Sequence, residues 1–247
     1  MVGELCLIAI LSPASPMLVP RPVQKNAARD RFFSAVSRSR RVYGVQGEQG
    51  LARLESRRMR GRDVCLFWSD EATAMRWAQP LASRPRIKDF SLTEMLASVL
   101  PGLAQHRRFV GLDWLGEEGI VELDPTDFAE RLRIASLDAF VHCVERTGAV
   151  FTIEGPYGPA LLRSQTKHDG LVLPCWANPG EAYSRLEGPW RDMLVIKTPL
   201  SDFIGERLAW LSRHGHLVGP DYQDGPGALE MQPADIRACF RRAASTG

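Results

Sequence analysis

The apolar positions of this 247-residue chain fall into periods that predict the same order of elements twice. Residues 29–38 place Phe32, Phe33 and Val36 at helical spacing, residues 137–146 do the same with Phe140, Val141 and Val144, and a helix is expected to open each run. Two alternating stretches follow, "RVYGVQ" and "GLARLE" around Gly47 and Gly50. Their later counterparts are "AVFTIE" and "GPALLR", and each pair predicts a hairpin. The continuous apolar runs "VCLFW" (64–68) and "LVLPCW" (171–176) suit a central strand, although Pro174 cannot donate to a ladder. After the tryptophan, Asp70 and Asn178 stand where helix N-caps belong, with Pro179 at the first helical position.

The remainder of each run is equally regular. "SLTEMLASVLPGLAQH" carries one apolar face through Leu92, Met95, Leu96, Val99 and Leu103; "PLSDFIGERLAWLSRH" matches it through Leu200, Phe203, Ile204 and Leu211. "RFVGLDW" with "GIVELD", and "HLVGPDY" with "GALEMQ", predict a further hairpin. "DPTDFAERL" and "QPADIRACF" close each run with a helix opened by proline. The predicted module is α-β-β-β-α-(β)-α-β-β-α, an α+β fold with a largely antiparallel sheet.

A shift of 108 residues, without a gap, superposes the two runs. Trp68/Trp176, Gly111/Gly219, Asp113/Asp221, Glu122/Glu230 and Pro125/Pro233 coincide, and Trp114/Tyr222 are alike. The chain is a tandem duplication, and two similar globular modules are expected rather than a solenoid. The expected layout is a leader or misassigned start at 1–28, a first module at 29–134 and a second at 136–242, with Met17 an alternative start. The apolar stretch "LCLIAIL" is too short to span a bilayer, and Glu4 precedes it where a secretion signal wants Lys or Arg. Pro13, Pro16, Pro20 and Pro22 then interrupt it.

The order "VLPCW", an amphipathic helix, a "G.LVG"-like strand, an acidic hairpin and "P.D" resembles the bacterial domain of unknown function 2750 family, over both copies. A layout similarity of strand, "FWS" and helix links it more loosely to the N-terminal domain of the type III secretion enhancer SseB family. The first resemblance implies a fold and a bacterial setting, and implies no reaction. The second copy departs from it where Trp176 is followed by Ala177 instead of serine.

Composition narrows the function. A formal net charge of +2 gives no global field that calls for nucleic acid or an anionic membrane. Five cysteines without a CxxC pair read as reduced thiols of a cytoplasmic protein. No GxSxG, Walker, GxGxxG or HExxH motif is present, and no cofactor or metal is expected. His106, Asp113 and Glu122 recur as His214, Asp221 and Glu230, but a helix end and a turn account for the histidines and aspartates.

Charge is unevenly shared between the copies, +2 over 32–133 against −3 over 137–241. In "RLESRRMRGRD" the first copy gathers Arg53, Arg57, Arg58, Arg60 and Arg62 on a predicted loop, suited to an acidic protein surface. Nucleic acid fits less well, because no flanking aromatics offer a stacking platform. Trp114 and Tyr222, at matching hairpin tips, are the other candidate contacts, whereas Trp68 and Trp176 are assigned to the core. The leading reading is a non-catalytic bacterial adaptor or immunity-type protein that binds another protein. The alternative is a small-molecule or regulatory sensor with its ligand between the modules. A hydrolase or metal enzyme around His106, Asp113 and Glu122 ranks third.

Overall fold

The computed structural model describes residues 22–116, 120–223 and 227–244. Helix α1 (Pro22–Ser39) already begins at Pro22, so residues 22–28 belong to the fold and not to an unstructured leader. Proline at the first helical position has no amide hydrogen to lose, so it opens the helix instead of breaking it. The rest of the expected leader lies outside the described residues.

Strands β1 (Arg41–Gly47), β2 (Gly50–Leu51), β3 (Arg53–Glu55), β4 (Asp63–Trp68), β5 (Arg86–Ser91), β6 (Phe109–Leu112) and β7 (Val121–Leu123) form one seven-stranded sheet. β4 runs parallel to β6, and the other ladders are antiparallel. Trp68 and Phe67 at the end of β4 are fully buried, as expected of a central strand. Helix α2 (Glu71–Leu81) follows, its cap secured where the Asp70 carboxylate accepts from the Thr73 amide at 2.8 Å. The strand left optional by the sequence is real: β5 pairs with β1 over six positions.

The second copy repeats this plan with its sheet divided. Here β8 (Ala149–Gly155), β9 (Gly158–Pro159) and β12 (Leu194–Pro199) make one three-stranded sheet; β10 (Leu162–Arg163), β11 (Leu171–Cys175) and β13 (Leu217–Pro220) make another. A single bridge, Phe151 to Trp176, joins them. Pro174 contributes to the division: its counterpart Leu66 donates its amide to the Ala52 carbonyl at 3.1 Å, and a proline has no hydrogen to repeat that bond. The last expected hairpin likewise reduces to the bridge Val218–Met231.

One continuous helix, Pro125–Thr147, serves both modules and runs straight through the expected boundary at Ile134–Ser136. Its first half packs on α1 through Phe128 and Phe32, with ring centroids 5.7 Å apart. Its second half packs on the closing helix (Pro233–Ala244) through Phe140 and Phe240, 6.3 Å apart. The backbone echoes the duplication as well. Left-handed conformations recur at Arg40/Gly148, Gly50/Gly158, Gly61/Asp169, Arg107/Gly215 and Asp113/Asp221, each pair 108 residues apart.

Candidate protein-binding face

The loop between β3 and β4 is built on Glu122, which projects from β7. The Glu122 carboxylate accepts from the Ser56 hydroxyl at 2.5 Å and from the Arg57 amide at 2.8 Å. The Ser56 oxygen accepts in turn from the amides of Arg58 and Met59, at 3.1 and 3.0 Å. A buried serine and a carboxylate therefore fix the loop backbone, which would otherwise separate its like charges.

On this frame the five arginines have different fates. Arg53 pairs with Asp63 at 3.4 Å. Arg58 and Arg62 hold their guanidinium groups over the ring of Phe109, each 5.4 Å from its centroid. Arg57 and Arg60 have no side-chain partner among the described residues, and Met59 beside them is 44% exposed. Four of the five arginines are exposed, and the two without a side-chain partner are Arg57 and Arg60.

The second copy keeps the frame without the charge. Glu230 accepts from the Ser164 hydroxyl at 2.6 Å, the Gln165 amide at 2.9 Å and the Thr166 hydroxyl at 2.7 Å. Burial alone would raise the Glu230 pKa, but these hydrogen bonds together outweigh it and hold the carboxyl below its ordinary value. Lys167 turns aside to donate to the Gly215 carbonyl at 2.9 Å.

The two aromatic candidates separate in the same way. Tyr222 is 3% exposed and belongs to the core of the second module, so the expectation that it contacts a partner is corrected. Its ring lies where a Cβ on Gly219 would sit, 2.3 Å from that position. In the first module Ile120 covers the corresponding Gly111, with its Cδ1 2.4 Å from the same construction. Ala228 stands in place of Ile120 in the second copy and is too short for that task, so Tyr222 performs it. Trp114, not needed to cover the glycine, stays half-buried against the first module's core and meets Trp77 with ring centroids 4.9 Å apart. Both residues keep one backbone role: the carbonyls of Trp114 and Tyr222 accept from the indoles of Trp68 and Trp176, at 3.0 and 3.1 Å.

Trp114 and Trp77 wall a groove of about 460 Å³ with Leu54, Val64 and Leu115, and Arg57 reaches its rim. Trp77, Leu115 and this groove were missed by reasoning from sequence. The substitution of Ile120 by Ala228 at matching positions was the signal that could have found them.

The repeated histidine and carboxylates do not form a common site. The Nδ1 atoms of His106 and His214 each lie 2.8 Å from the carbonyl four residues earlier, capping their helices. Glu122 is occupied by the loop, and Asp113 accepts from the Ser69 amide at 2.7 Å and hydroxyl at 3.0 Å. Among the described residues no group of three His, Cys, Asp or Glu side chains is arranged to hold a metal.

Asp221 is the more unusual of the aspartates. The Ala177 amide donates to its Oδ1 at 2.9 Å, but alanine has no hydroxyl for Oδ2. Arg40 of the first module fills that place at 2.5 Å and also approaches Glu181 at 3.4 Å. Burial pushes Asp221 and Glu181 above their ordinary pKa values, against the opposing pull of the Arg40 guanidinium. This cluster borders a cleft of about 640 Å³ between α1, the linking helix and residues 177–181, lined also by Arg131, His142 and Arg146. Asp113, by contrast, is raised by burial chiefly against hydrogen bonds from Ser69, with a smaller opposing pull from Arg31.

The profile of the family described as "Protein of unknown function (DUF2750)" matches residues 29–132 and again 137–240. No match is found among curated proteins. Two solved structures share a loose path of the chain. "Anabaena Tic22 (protein transport)" is 8% identical, with 86% of this chain and 96% of that chain covered, at a TM-score of 0.25. "Tic22 from Plasmodium falciparum" is 10% identical, with 87% and 98% covered, also at 0.25. Nothing about function follows from a likeness at that score.

Proposed function

Because the chain belongs to the DUF2750 family through both of its halves, we propose that it is a non-catalytic, bacterial, cytoplasmic protein-binding molecule whose first module carries the binding face. The second module and the linking helix hold that face in place. The observation that supports this reading is the pair of unpartnered cations, Arg57 and Arg60, on a loop whose backbone is fixed in advance by Glu122. A fixed loop loses little entropy on association, and unpaired guanidinium groups favour carboxylates through bidentate bonds. The partner therefore presents an acidic surface. No described helix is long and apolar enough to cross a membrane.

Affinity capture from bacterial lysate, with the intact chain and an Arg57→Glu/Arg60→Glu variant as baits, tests this. One protein captured by the intact chain and lost with the variant is the expected result. Equal capture by both baits removes the loop from the function. A second reading, small-molecule sensing, is favoured by the cleft beside Arg40, whose volume of about 640 Å³ lies within the usual range for ligands. A thermal-shift screen of anionic metabolites in which no compound raises the unfolding midpoint counts against it.

A further inference from the structure

We propose that this chain pairs with a second copy of itself along β12 (Leu194–Pro199), antiparallel and with a twofold axis at Val195. β12 is the outer strand of the sheet β12-β8-β9, and among the described residues no other strand lies against its free edge. The first module guards its matching strand, β5, with charge at Arg86, Lys88 and Asp89. The second module has Leu194, Ile196 and Lys197 at those positions, so two charges have given way to aliphatic side chains. Leu194 is 67% exposed, the most of any large aliphatic side chain among the described residues, and Ile196 is half-buried. An apolar edge without such guards is a template for strand addition.

The ladder to β8 fixes which backbone groups face outward. The Leu200 amide donates to the Gly148 carbonyl at 2.9 Å, continuing the register in which Pro199 lies opposite Ala149. Bonded pairs alternate along an antiparallel ladder, so Leu194, Ile196 and Thr198 bond to β8, while Val195, Lys197 and Pro199 turn their backbone groups to the free edge. Neither the Val195 nor the Lys197 amide finds another backbone partner among the described residues. Pro199 has no amide hydrogen, so the outward row of donors ends at Lys197.

These groups are complementary to themselves in one register. Pairing about a twofold axis sets outward residues against outward residues. With the axis at Val195, the two Val195 residues exchange amide and carbonyl bonds, and each Lys197 amide meets the Met193 carbonyl of the other copy. Met193 spends its own amide on the Trp190 carbonyl at 3.0 Å, so it is needed there only as an acceptor. Leu194 then lies across from Ile196 of the other copy on both sides of the axis, and the exposed apolar row is closed. Neighbouring registers are worse. An axis at Leu194 sets Lys197 against Arg191, and one at Lys197 opposes the two lysines directly. An axis at Ile196 sets Met193 against Pro199, an end pair with no donor to give.

The test uses the full chain. Sedimentation equilibrium between about 10 µM and about 1 mM is expected to show reversible conversion of monomer to dimer, as suits an interface built on one pair of strands. In amide hydrogen exchange read by NMR, Val195 and Lys197 are expected to gain protection of about tenfold over that range, while Ile196, already bonded to β8, stays unchanged. Leu194→Arg/Ile196→Lys gives β12 the residues that β5 already carries, and is expected to weaken association about tenfold with the unfolding midpoint of the monomer unchanged. A monomer at every concentration, equal association of this variant, or dimerisation without protection of the two outward amides overturns the proposal. The Arg57→Glu/Arg60→Glu chain is expected to dimerise as the parent does, so failure of the loop reading and failure of this edge are seen separately.

Discussion

Asp113 and Asp221 occupy one place in the two modules, in the same left-handed backbone with φ of 40° and 43°, yet their second carboxylate oxygens are satisfied from different distances along the chain. Asp113 turns to Ser69 in its own module, and Asp221 turns to Arg40 in the other. The loss of one hydroxyl at Ala177 is thus coupled to a contact between modules. Trp114 and Tyr222 follow a similar logic. Replacement of the glycine-covering Ile120 by Ala228 draws the second aromatic inward and leaves the first free to line a groove. Duplication gave two copies of a fold, and small substitutions beneath the surface left one copy with its aromatic in the core and the other with its aromatic lining a groove.

The sharpest way to break this contrast is to truncate both aromatics. Tyr222→Ala is expected to cost about 3–5 kcal/mol in urea unfolding, as large buried aromatics do, and Trp114→Ala about 1–2 kcal/mol. Equal losses would show that both rings serve the core. The aspartate contrast comes next. Arg40→Ala leaves Asp221 short of a partner and is expected to cost about 2 kcal/mol, less than a fully buried pair because Arg40 keeps 21% of its side chain exposed. Adding Ala177→Ser should restore part of that loss, since a hydroxyl then meets Oδ2 as Ser69 meets Asp113. A double-mutant cycle without recovery would break the equivalence.

Acid titration sharpens the comparison of loop frames. The folded-state pKa of Glu230 lies below its ordinary 4.5, so its stabilising contribution is complete above that value and is lost as pH falls through the folded-state pKa. Glu230→Gln should therefore be less stable than the parent at neutral pH, with the gap closing below about pH 4.5, read from unfolding midpoints across pH. Asp113 and Asp221, raised by burial, act with the opposite sign: each stabilises most below its unfolded value, and that contribution fades as pH rises through its folded one. The smallest expected effect is that of Arg57→Glu/Arg60→Glu on stability, within about 0.5 kcal/mol, because both residues are exposed and neither side chain has a hydrogen bond or ion pair among the described residues. A larger change in the unfolding midpoint would mean that the charge reversal disturbs the loop frame.

Much of the fold was legible in the sequence. The helix starts at Asp70 and Asn178, the buried strand before each tryptophan and the recurrence at 108 residues all depend on neighbours close along the chain. Pro174 signalled a weakened ladder, and the second sheet is divided beside it. The candidate site was legible only in part. Five arginines read alike as a charge run, but stacking on Phe109 and pairing with Asp63 leave only Arg57 and Arg60 free. The family profile also begins at residue 29, but the opening helix extends back to Pro22, because prolines near a helix opening look the same in sequence as prolines that end one.

The sequence by itself determined the module, its duplication and the order of its elements, because periodicity and capping are short-range chemistry. Only the tertiary structure decided which copy exposes its aromatic and how the copies are joined. Those outcomes depend on volumes and distances across the fold: whether residue 120 or 228 can cover a glycine, and whether Arg40 reaches the Asp221 carbonyl 181 positions away, at 3.2 Å.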